Sequence, residues 1–428
     1  MARGAHSASA KADQPTNLIT RLIDRPGDLA QESEPIEQEE REIRLAQLGE
    51  HNKNLLLLLV FPVMLVAKMM VMNFLPAKYF FDNNRILSMV NGTAGDQAWT
   101  GSYQVATDMF KRINVLDFTT MNQWTLLLGL IFSILVFVMI LGADAPDLLQ
   151  SVFILATVGL LNIYIFNIGK DIIQFAFFFA VYIILMLPIK SSLVKVILSA
   201  AVLYYESTFF REYYVLIAAL AIGVYAILLF FRSRNQLGLG SLGWIILLMF
   251  LMVFAMMIVS SLVMPEEYNM IMGLRSGYVD SFGTGDNGGI MATAIRNYIP
   301  GESLPIFMVN YVINLVRMLV PVELVLRGAA YLPFFVFQLM VTAYLVNLLR
   351  QINQVHDAKL FIALCVFIGY VLASGIFEPD FGSWTRHESA TFPLLLILIM
   401  NPLQRVPLTR EERLLQRGQG GVPAKEEA

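Results

Sequence analysis

The chain has 428 residues, of which 57% are hydrophobic and only 15% are charged, and its formal net charge is −3. Soluble domains carry about 25% charged residues, so this composition argues against a soluble protein. The slightly acidic balance and the dispersed basic residues argue against nucleic-acid binding. The single cysteine, Cys365, lies in an apolar run and excludes a disulfide framework or a thiolate metal cluster.

The N-terminal segment, residues 1–54, is polar and mixed in charge, and it carries no signal-peptide pattern. We expect it to be a partly disordered cytoplasmic tail, and the apolar run that follows to be a retained membrane anchor. Apolar segments near the roughly 20 residues of a membrane-spanning helix then recur. They cover residues 55–75, 124–142, 149–167, 172–188, 191–206, 212–231, 243–264, 330–349, 358–376 and 391–404. The sequence therefore predicts an all-α polytopic membrane protein with about ten transmembrane helices, within residues 55–404.

Basic residues in the connections between these segments indicate the orientation. Loops that face the cytoplasm are enriched in Lys and Arg. With the N-terminal tail inside, the inner connections carry Lys190, Lys195, Arg232, Arg234, Arg350 and Lys359. Residues 405–428 form a basic tail on the same side, so both termini are predicted to be cytoplasmic.

Two large outer loops, at about 76–123 and 265–329, follow from this topology. Residues 305–326 within the second loop are apolar, but they contain Arg317 and Glu323. An eleventh span there would invert every later loop. We therefore expect one interfacial amphipathic helix that lies at the outer surface or re-enters it.

Ionisable residues gather at the predicted outer boundary of the membrane. Such groups are costly there unless they are paired or solvated, so they indicate a functional site. The alternative is that each one is an interfacial anchor or a local ion pair. The candidates are Lys170, Asp171, Glu206, Arg211, Glu212, Arg275, Arg317, Glu378, Asp380, Arg386, His387 and Glu388.

The connection "EPDFGSWTRHE" at 378–388 carries the densest part of this set. Pro379 and Gly382 interrupt helical structure between two apolar segments. A guanidinium such as that of Arg386 binds phosphate in a bidentate manner. His387 is the only histidine on the predicted outer side, and imidazole is the usual general base near neutral pH. A hydrogen-bonded structural histidine remains the alternative.

Several other chemistries lack their motifs. The sequence contains no Gly-x-x-x-x-Gly-Lys phosphate loop, no His-Glu-x-x-His zinc motif and no Asp-x-Asp pair of the kind that binds a metal-bound nucleotide sugar. We therefore expect no metal and no cofactor. An outer cavity rich in arginine suits an anionic headgroup, above all a pyrophosphate.

Four stretches resemble the oligosaccharide repeat-unit (Wzy-type) polymerases of bacterial polysaccharide synthesis. They are "KYFFDNNRI", "NIGKDIIQFAFF", "ESTFFREYYVLI" and "FEPDFGSWTRHESATFPLLLI". The resemblance covers about residues 55–404. It implies a bacterial plasma-membrane enzyme that polymerises polyprenyl-pyrophosphate-linked oligosaccharides at the outer face by inverting, metal-independent glycosyl transfer. Membrane lipids, a chain-length regulator and other polysaccharide-assembly proteins are the implied partners.

The resemblance also implies roles for individual residues. Pyrophosphate binding falls to the arginines, namely Arg211, Arg275, Arg317 and Arg386. His387 is the first candidate for the general base, with Glu388 or Asp380 as alternatives. The residues expected to orient these groups or to bind sugar hydroxyls are Lys170, Asp171, Glu206, Glu212 and Glu378.

Two alternatives stay open. Another lipid-linked glycosyltransferase or a polysaccharide ligase would use the same residue types, although monosaccharide transferases usually carry an acidic pair after the first span, where this chain has only Asp82. A transporter or lipid flippase would place charges near the bilayer midplane along broken helices. Lys68, in the first span, is the lone candidate for such a charge.

Overall fold

A computed structural model describes residues 26–406 except 235–238, 267, 270–271, 274–292 and 302. The chain divides into one compact unit, Glu50–Val406, and a second unit made of Met1–Gly49 and Pro407–Ala428. The described residues are helical and contain no β-strand. The predicted all-α class is therefore confirmed, whereas the proposed roles of the two tails stay predictions.

The helices have the following bounds in chain order. The first eight are α1 Pro26–Asn73, α2 Phe81–Val90, α3 Ser102–Ile113, α4 Met121–Leu141, α5 Leu148–Leu160, α6 Asp171–Met186, α7 Ser192–Ser207 and α8 Tyr214–Arg232. They are followed by α9 Leu239–Val263, α10 Leu304–Leu319, α11 Val322–Arg327, α12 Leu332–Arg350, α13 Ala358–Phe377, α14 Phe381–Ala390 and α15 Phe392–Ile399.

Within the described residues, seven helical segments are long and apolar enough to cross a membrane. They are Ala46–Asn73, Met121–Leu141, Leu148–Ile165, Tyr214–Arg232, Gly240–Val263, Leu332–Arg350 and Ala358–Phe377. The chain is therefore a multi-pass membrane protein, as its composition predicts. Other predicted spans correspond to shorter helices, α6 and α7 with 16 residues each and α15 with eight. The count of ten spans stays a prediction.

Helix α13 lies at the centre of the bundle. Every residue from Leu360 to Phe377 is buried, as expected for a helix that is apolar on all sides. It packs most extensively against α8, and the two backbones approach closely at Gly369. A Cβ atom at this position would lie 2.8 Å from the backbone nitrogen of Ala221. Glycine is therefore required for this helix contact.

The α4–α5 connection ties together one end of the bundle, which we call the opposite end. Lys53 Nζ donates to the carbonyl of Ala143, and an Arg405 Nη donates to the carbonyl of Ala145, both at 2.7 Å. The backbone N–H of Val406 donates to Asp147. The α4–α5 connection thus binds both the start of the apolar part of α1 and the last described residues of the chain.

At the other end, which we call the site end, the chain leaves the helical path between α5 and α6. Helix α5 continues as a π-helical turn, Leu161–Ile165, and the backbone is irregular from there to Lys170. The buried Lys68 ammonium donates to the carbonyls of Asn162 and Phe166, both at 2.7 Å. Lys68 therefore satisfies carbonyl groups that the break leaves without helical partners.

Both loops predicted at the outer face contain helices. The first contains α2 and α3, which form a helical hairpin beside α4. In the second, the predicted single helix over 305–326 is divided into α10 and α11, because Val320 and Pro321 leave the helical conformation. Its interfacial location stays a prediction.

We expect Gly369→Ala to lower the free energy of unfolding by about 1–3 kcal/mol, because the added methyl group forces α8 and α13 apart. Thermal unfolding of the purified protein in detergent measures the effect. Gly159→Ala, in α5, is the matched control, since its Cβ would meet only Val63 at an ordinary 3.7 Å. Equal stability of the two variants would show that the close approach at Gly369 carries no weight.

Candidate functional site

Asp171, the first residue of α6, is the centre of a group of charged side chains at the site end. Its Oδ1 accepts a hydrogen bond from Arg211 Nη2 at 2.8 Å and lies 3.3 Å from His387 Nε2. Its Oδ2 lies 3.0 Å from Arg386 Nε. One buried carboxylate is therefore shared by three basic side chains from two distant segments.

We call this group the charge cluster. It consists of Asp82, Lys170, Asp171, Arg211, Glu378, Arg386 and His387. Its members come from α2, from the segment before α6 and the start of α6, from the α7–α8 connection, and from 378–387. They balance as three carboxylates against two arginines and one lysine, with His387 as a further basic member.

Gln174 holds the buried part of the charge cluster together. Its Oε1 accepts from Arg211 Nη1 at 2.8 Å, and its Nε2 donates to the carbonyl of His387 at 3.0 Å. It lies one turn after Asp171 on α6, so both side chains project from the same face of this helix. The face therefore fixes the α7–α8 connection and α14 at the same time.

His387 lies between two carboxylates. Its Nδ1 is 2.7 Å from Glu378 Oε1, and its Nε2 faces Asp171. Burial opposes a charge here, but the carboxylates of Glu378 and Asp171 prevail and raise the pKa of His387 above its usual value. The arrangement therefore favours an imidazolium that can release a proton when the electrostatic environment changes.

The most accessible part of the charge cluster, its mouth, is formed by Asp82, Lys170 and Arg386. Their side chains are 15–19% exposed, whereas that of Asp171 is 8% exposed. Asp82 Oδ2 lies 3.2 Å from Lys170 Nζ and 3.4 Å from Arg386 Nη2. Burial alone would raise the pKa of Asp82, but these two cations lower it.

Tyr103, from α3, completes the mouth. Its hydroxyl donates to Asp82 Oδ1 at 2.7 Å and accepts from Lys170 Nζ at 2.8 Å. The ring of Trp99 meets that of Tyr103 edge-on, with centroids 4.7 Å apart. The α2–α3 hairpin thus contributes an acid, a hydroxyl and an aromatic surface to the site.

Aromatic rings surround the buried side of the charge cluster. Trp384 stacks on Tyr370 with centroids 5.7 Å apart, and Tyr213 packs against Phe377 at 4.1 Å. Such surroundings exclude water and strengthen charge–charge interactions relative to those in bulk solvent. An anion placed at the mouth would therefore interact strongly with the cations behind it.

Six of the candidates named from the sequence lie together in the charge cluster. They are Lys170, Asp171, Arg211, Glu378, Arg386 and His387. Arg275 lies outside the described residues. The sequence reasoning did not include Asp82, Tyr103 or Gln174 in the site. The spacing of Gln174 from Asp171 could have indicated its role, whereas no sequence signal indicates Tyr103.

Arg317 lies instead in a second group of charges. Its guanidinium forms an ion pair with Glu323, donates to the carbonyl of Arg296 at 2.7 Å and lies over the ring of Tyr298. Glu323 also pairs with Arg327 at 3.2 Å. These contacts hold α10, α11 and residues 294–298 together, so they account for Arg317 as a structural residue.

The other carboxylate candidates have distinct positions. Asp380 is the N-cap of α14 and accepts from the backbone N–H of Ser383 at 2.9 Å and from its hydroxyl at 2.7 Å. Glu212 is exposed. Glu388 is fully buried against Gln338, whose Nε2 lies 3.3 Å from Glu388 Oε1. None of these side chains faces the mouth through the contacts described.

Glu206, on α7, is fully buried, and within the described part of the chain neither of its carboxylate oxygens has a hydrogen-bond partner. Among the described residues, no group of three or more His, Cys, Asp or Glu side chains is arranged to hold a metal ion. The chemistry that the charge cluster itself offers is anion binding by Lys170 and Arg386 and proton exchange at His387.

Comparisons with known proteins add no relative: no protein-family model, no curated protein and no solved structure matches this chain.

We expect Asp171→Asn to destabilise the protein by about 3–5 kcal/mol, because it leaves buried Arg211 and the inner face of Arg386 without their shared carboxylate. Thermal unfolding in detergent measures the loss. Asp108→Asn is the control, since Asp108 is exposed on α3 and bonds only Gln104 among the contacts described. A stability loss no larger than that of the control would contradict the central position of Asp171.

The pH dependence of stability tests the environment of His387. Its folded-state pKa is raised, so the imidazolium stabilises the fold fully below its unfolded-state pKa of about 6.5. This contribution is lost as the pH rises through the folded-state pKa. Melting temperatures of wild type and His387→Gln, compared from pH 6 upwards, should converge with rising pH. A constant difference would show that His387 is not held as a cation.

Proposed function

We propose that this protein is a bacterial plasma-membrane glycosyltransferase that polymerises polyprenyl-pyrophosphate-linked oligosaccharide repeat units at the outer face. The observation that carries the proposal is the charge cluster itself. Lys170 and Arg386 are partly exposed cations, and directly behind them His387 is held between two carboxylates. Anion binding and proton transfer are therefore adjacent, as glycosyl transfer from a pyrophosphate donor requires.

In the proposed reaction, the hydroxyl oxygen of the acceptor sugar attacks the anomeric carbon of the donor. The bond between that carbon and the pyrophosphate oxygen breaks, and polyprenyl pyrophosphate leaves with the electron pair. Lys170 and Arg386 stabilise the negative charge that develops on the leaving group. The hydroxyl proton passes to the pair formed by His387 and Asp171.

His387 is the preferred base among the three candidates. Glu378 orients its ring through Nδ1, as a carboxylate does in many acid–base sites. Asp380 is occupied by capping α14, and Glu388 is buried beside Gln338. The reaction requires His387 to be neutral when the acceptor binds. Its Nε2 then accepts the hydroxyl proton, while Asp171 stays bound to Arg211 and Arg386 and stabilises the imidazolium that forms.

The finer topology belongs to the same proposal. We place both termini in the cytoplasm, with α6, α7 and residues 391–404 completing ten passages through the membrane. The alternation of these helices sets the charge cluster at the outer face, opposite to Arg232 and Arg405. The basic residues of the inner connections support this orientation.

A second candidate is a transporter of lipid-linked saccharides. The break between α5 and α6 favours it, because transporters place binding sites at discontinuous helices. Lys68, however, lies only five residues before the end of α1 and bonds the carbonyls of the break. This position argues for a structural lysine and favours surface chemistry over transport.

The function is tested in source cells that lack this gene. They are complemented with wild type, Arg386→Lys, His387→Ala or Asp108→Asn at matched membrane levels, and lipid-linked saccharides are then sized on a gel. We expect long chains with wild type and Asp108→Asn, and single repeat units with the other two variants.

Other patterns would select another function. Long lipid-linked chains that persist without the gene, but are not transferred to their final acceptor, would identify a ligase. Single repeat units that accumulate at the cytoplasmic face would identify a transporter. Unchanged saccharides in the deletion strain would exclude all three.

A further inference from the structure

We propose that the Asp82 carboxylate occupies the phosphate position of the resting site, and that a phosphate or pyrophosphate ester binds between Lys170 and Arg386 only when Asp82 leaves. The identity of the ligand rests on the proposed function. The competition itself rests on the contacts of Asp82.

Asp82 engages both cations of the mouth with one oxygen atom. Its Oδ2 lies 3.2 Å from Lys170 Nζ and 3.4 Å from Arg386 Nη2, while Tyr103 donates to Oδ1. Two cations and a hydroxyl that converge on an oxyanion form the donor set that a phosphate group needs. The carboxylate therefore stands in for one edge of a phosphate.

Asp171 cannot exchange in the same way. Its carboxylate is 8% exposed and bonds Arg211 as well as facing Arg386 and His387. Removing it would leave several buried cations without compensation, at a large electrostatic cost. Asp82 is 19% exposed, and its contacts within the described structure are with the two accessible cations and the Tyr103 hydroxyl. Of the two acids beside Arg386, Asp82 is thus the one that an entering anion can replace.

Asp82 also belongs to a part of the fold that has its own apolar core. Ile86 and Phe110 of the α2–α3 hairpin pack with Trp124 and Ile168 in a cluster separate from the main core of the bundle. A further tether is the hydrogen bond from Asn83 Nδ2 to the carbonyl of Ile168, at 2.7 Å. A movement of Asp82 would therefore strain this smaller cluster and the Asn83 hydrogen bond, and not the main core around α13.

The competition predicts that removing the carboxylate strengthens ligand binding. We would titrate the purified full-length protein in detergent with farnesyl pyrophosphate, inorganic pyrophosphate and farnesol by calorimetry. Asp82→Asn should bind farnesyl pyrophosphate about tenfold more tightly than wild type, as the two released ion pairs allow. Lys170→Met should bind at least about tenfold more weakly.

Two matched variants separate this site from other arginines. Asp108→Asn removes an acid from the same hairpin and should leave the affinity unchanged. Glu323→Gln releases Arg317 and Arg327 in the way that Asp82→Asn releases Lys170 and Arg386. Tighter binding in Glu323→Gln, without tightening in Asp82→Asn, would place the anion at Arg317 and overturn the inference. Equal or weaker binding in Asp82→Asn would also overturn it.

A measurement on wild type covers the case in which Asp82→Asn fails to fold. Hydrogen–deuterium exchange across Phe81–Val90 should increase when farnesyl pyrophosphate saturates the protein, because the bonds of Asp82 to the bundle are lost. Unchanged exchange at saturation would contradict the displacement.

The ligands identify the source of the phosphate. Binding of inorganic pyrophosphate as tightly as farnesyl pyrophosphate supports a site for the headgroup alone, whereas preference for farnesyl pyrophosphate over both other ligands supports a lipid-linked ligand. Farnesol that binds as tightly as its pyrophosphate in every variant would overturn the inference. The two proposals can fail separately. If Asp82→Asn and Lys170→Met change the affinity of the purified protein as expected, but deleting the gene leaves the cellular saccharides unchanged, the proposed function is refuted and the competition at Asp82 is not.

Discussion

The site end depends on a single buried carboxylate, that of Asp171, which three basic side chains share. Arginines cannot remain buried in a bundle of apolar helices without a partner, because an uncompensated charge there costs several kcal/mol. Asp171 begins α6, and the N-terminus of a helix stabilises negative charge. The positions of Arg211, Arg386 and His387 follow from this anchor, and so do those of the segments that carry them.

The break between α5 and α6 makes this anchor possible. A regular helix over residues 161–170 would join α5 and α6 into one continuous helix, and Asp171 would then lie in a helix interior instead of at a helix N-terminus. The π-helical turn and the irregular backbone after it create free carbonyl groups, and Lys68 compensates them from α1. The buried Lys68 thus stabilises the irregular backbone that positions the buried Asp171. This coupling explains why a lysine is tolerated in the otherwise apolar part of α1, residues 55–72.

The sequence allowed the helical class and much of the site to be predicted, because both follow from where charged residues interrupt apolar runs. Charged residues that lie at the ends of apolar segments meet when the helices alternate in direction, because alternate helix ends then lie on the same side. This applies to Lys170, Asp171, Arg211 and the 378–387 connection. Arg317 satisfies the same criterion but bonds Glu323, six residues away. Two residues this close in sequence can pair in many folds. The spacing alone therefore does not predict whether Arg317 pairs with Glu323 or joins the charge cluster. Tyr103 joins through the packing of α2 against α3, which no local pattern indicates.

The burial of α13 has a consequence for the biogenesis of the protein. A helix surrounded by protein along its whole length occupies no lipid-facing position in the finished fold, yet it follows most of its neighbours in the chain. Until residues 358–377 have been synthesised, the faces of the earlier helices that pack against α13 therefore lack their partner. The final packing of α8 and the assembly of the charge cluster are thus late events, completed together with the last helices of the bundle.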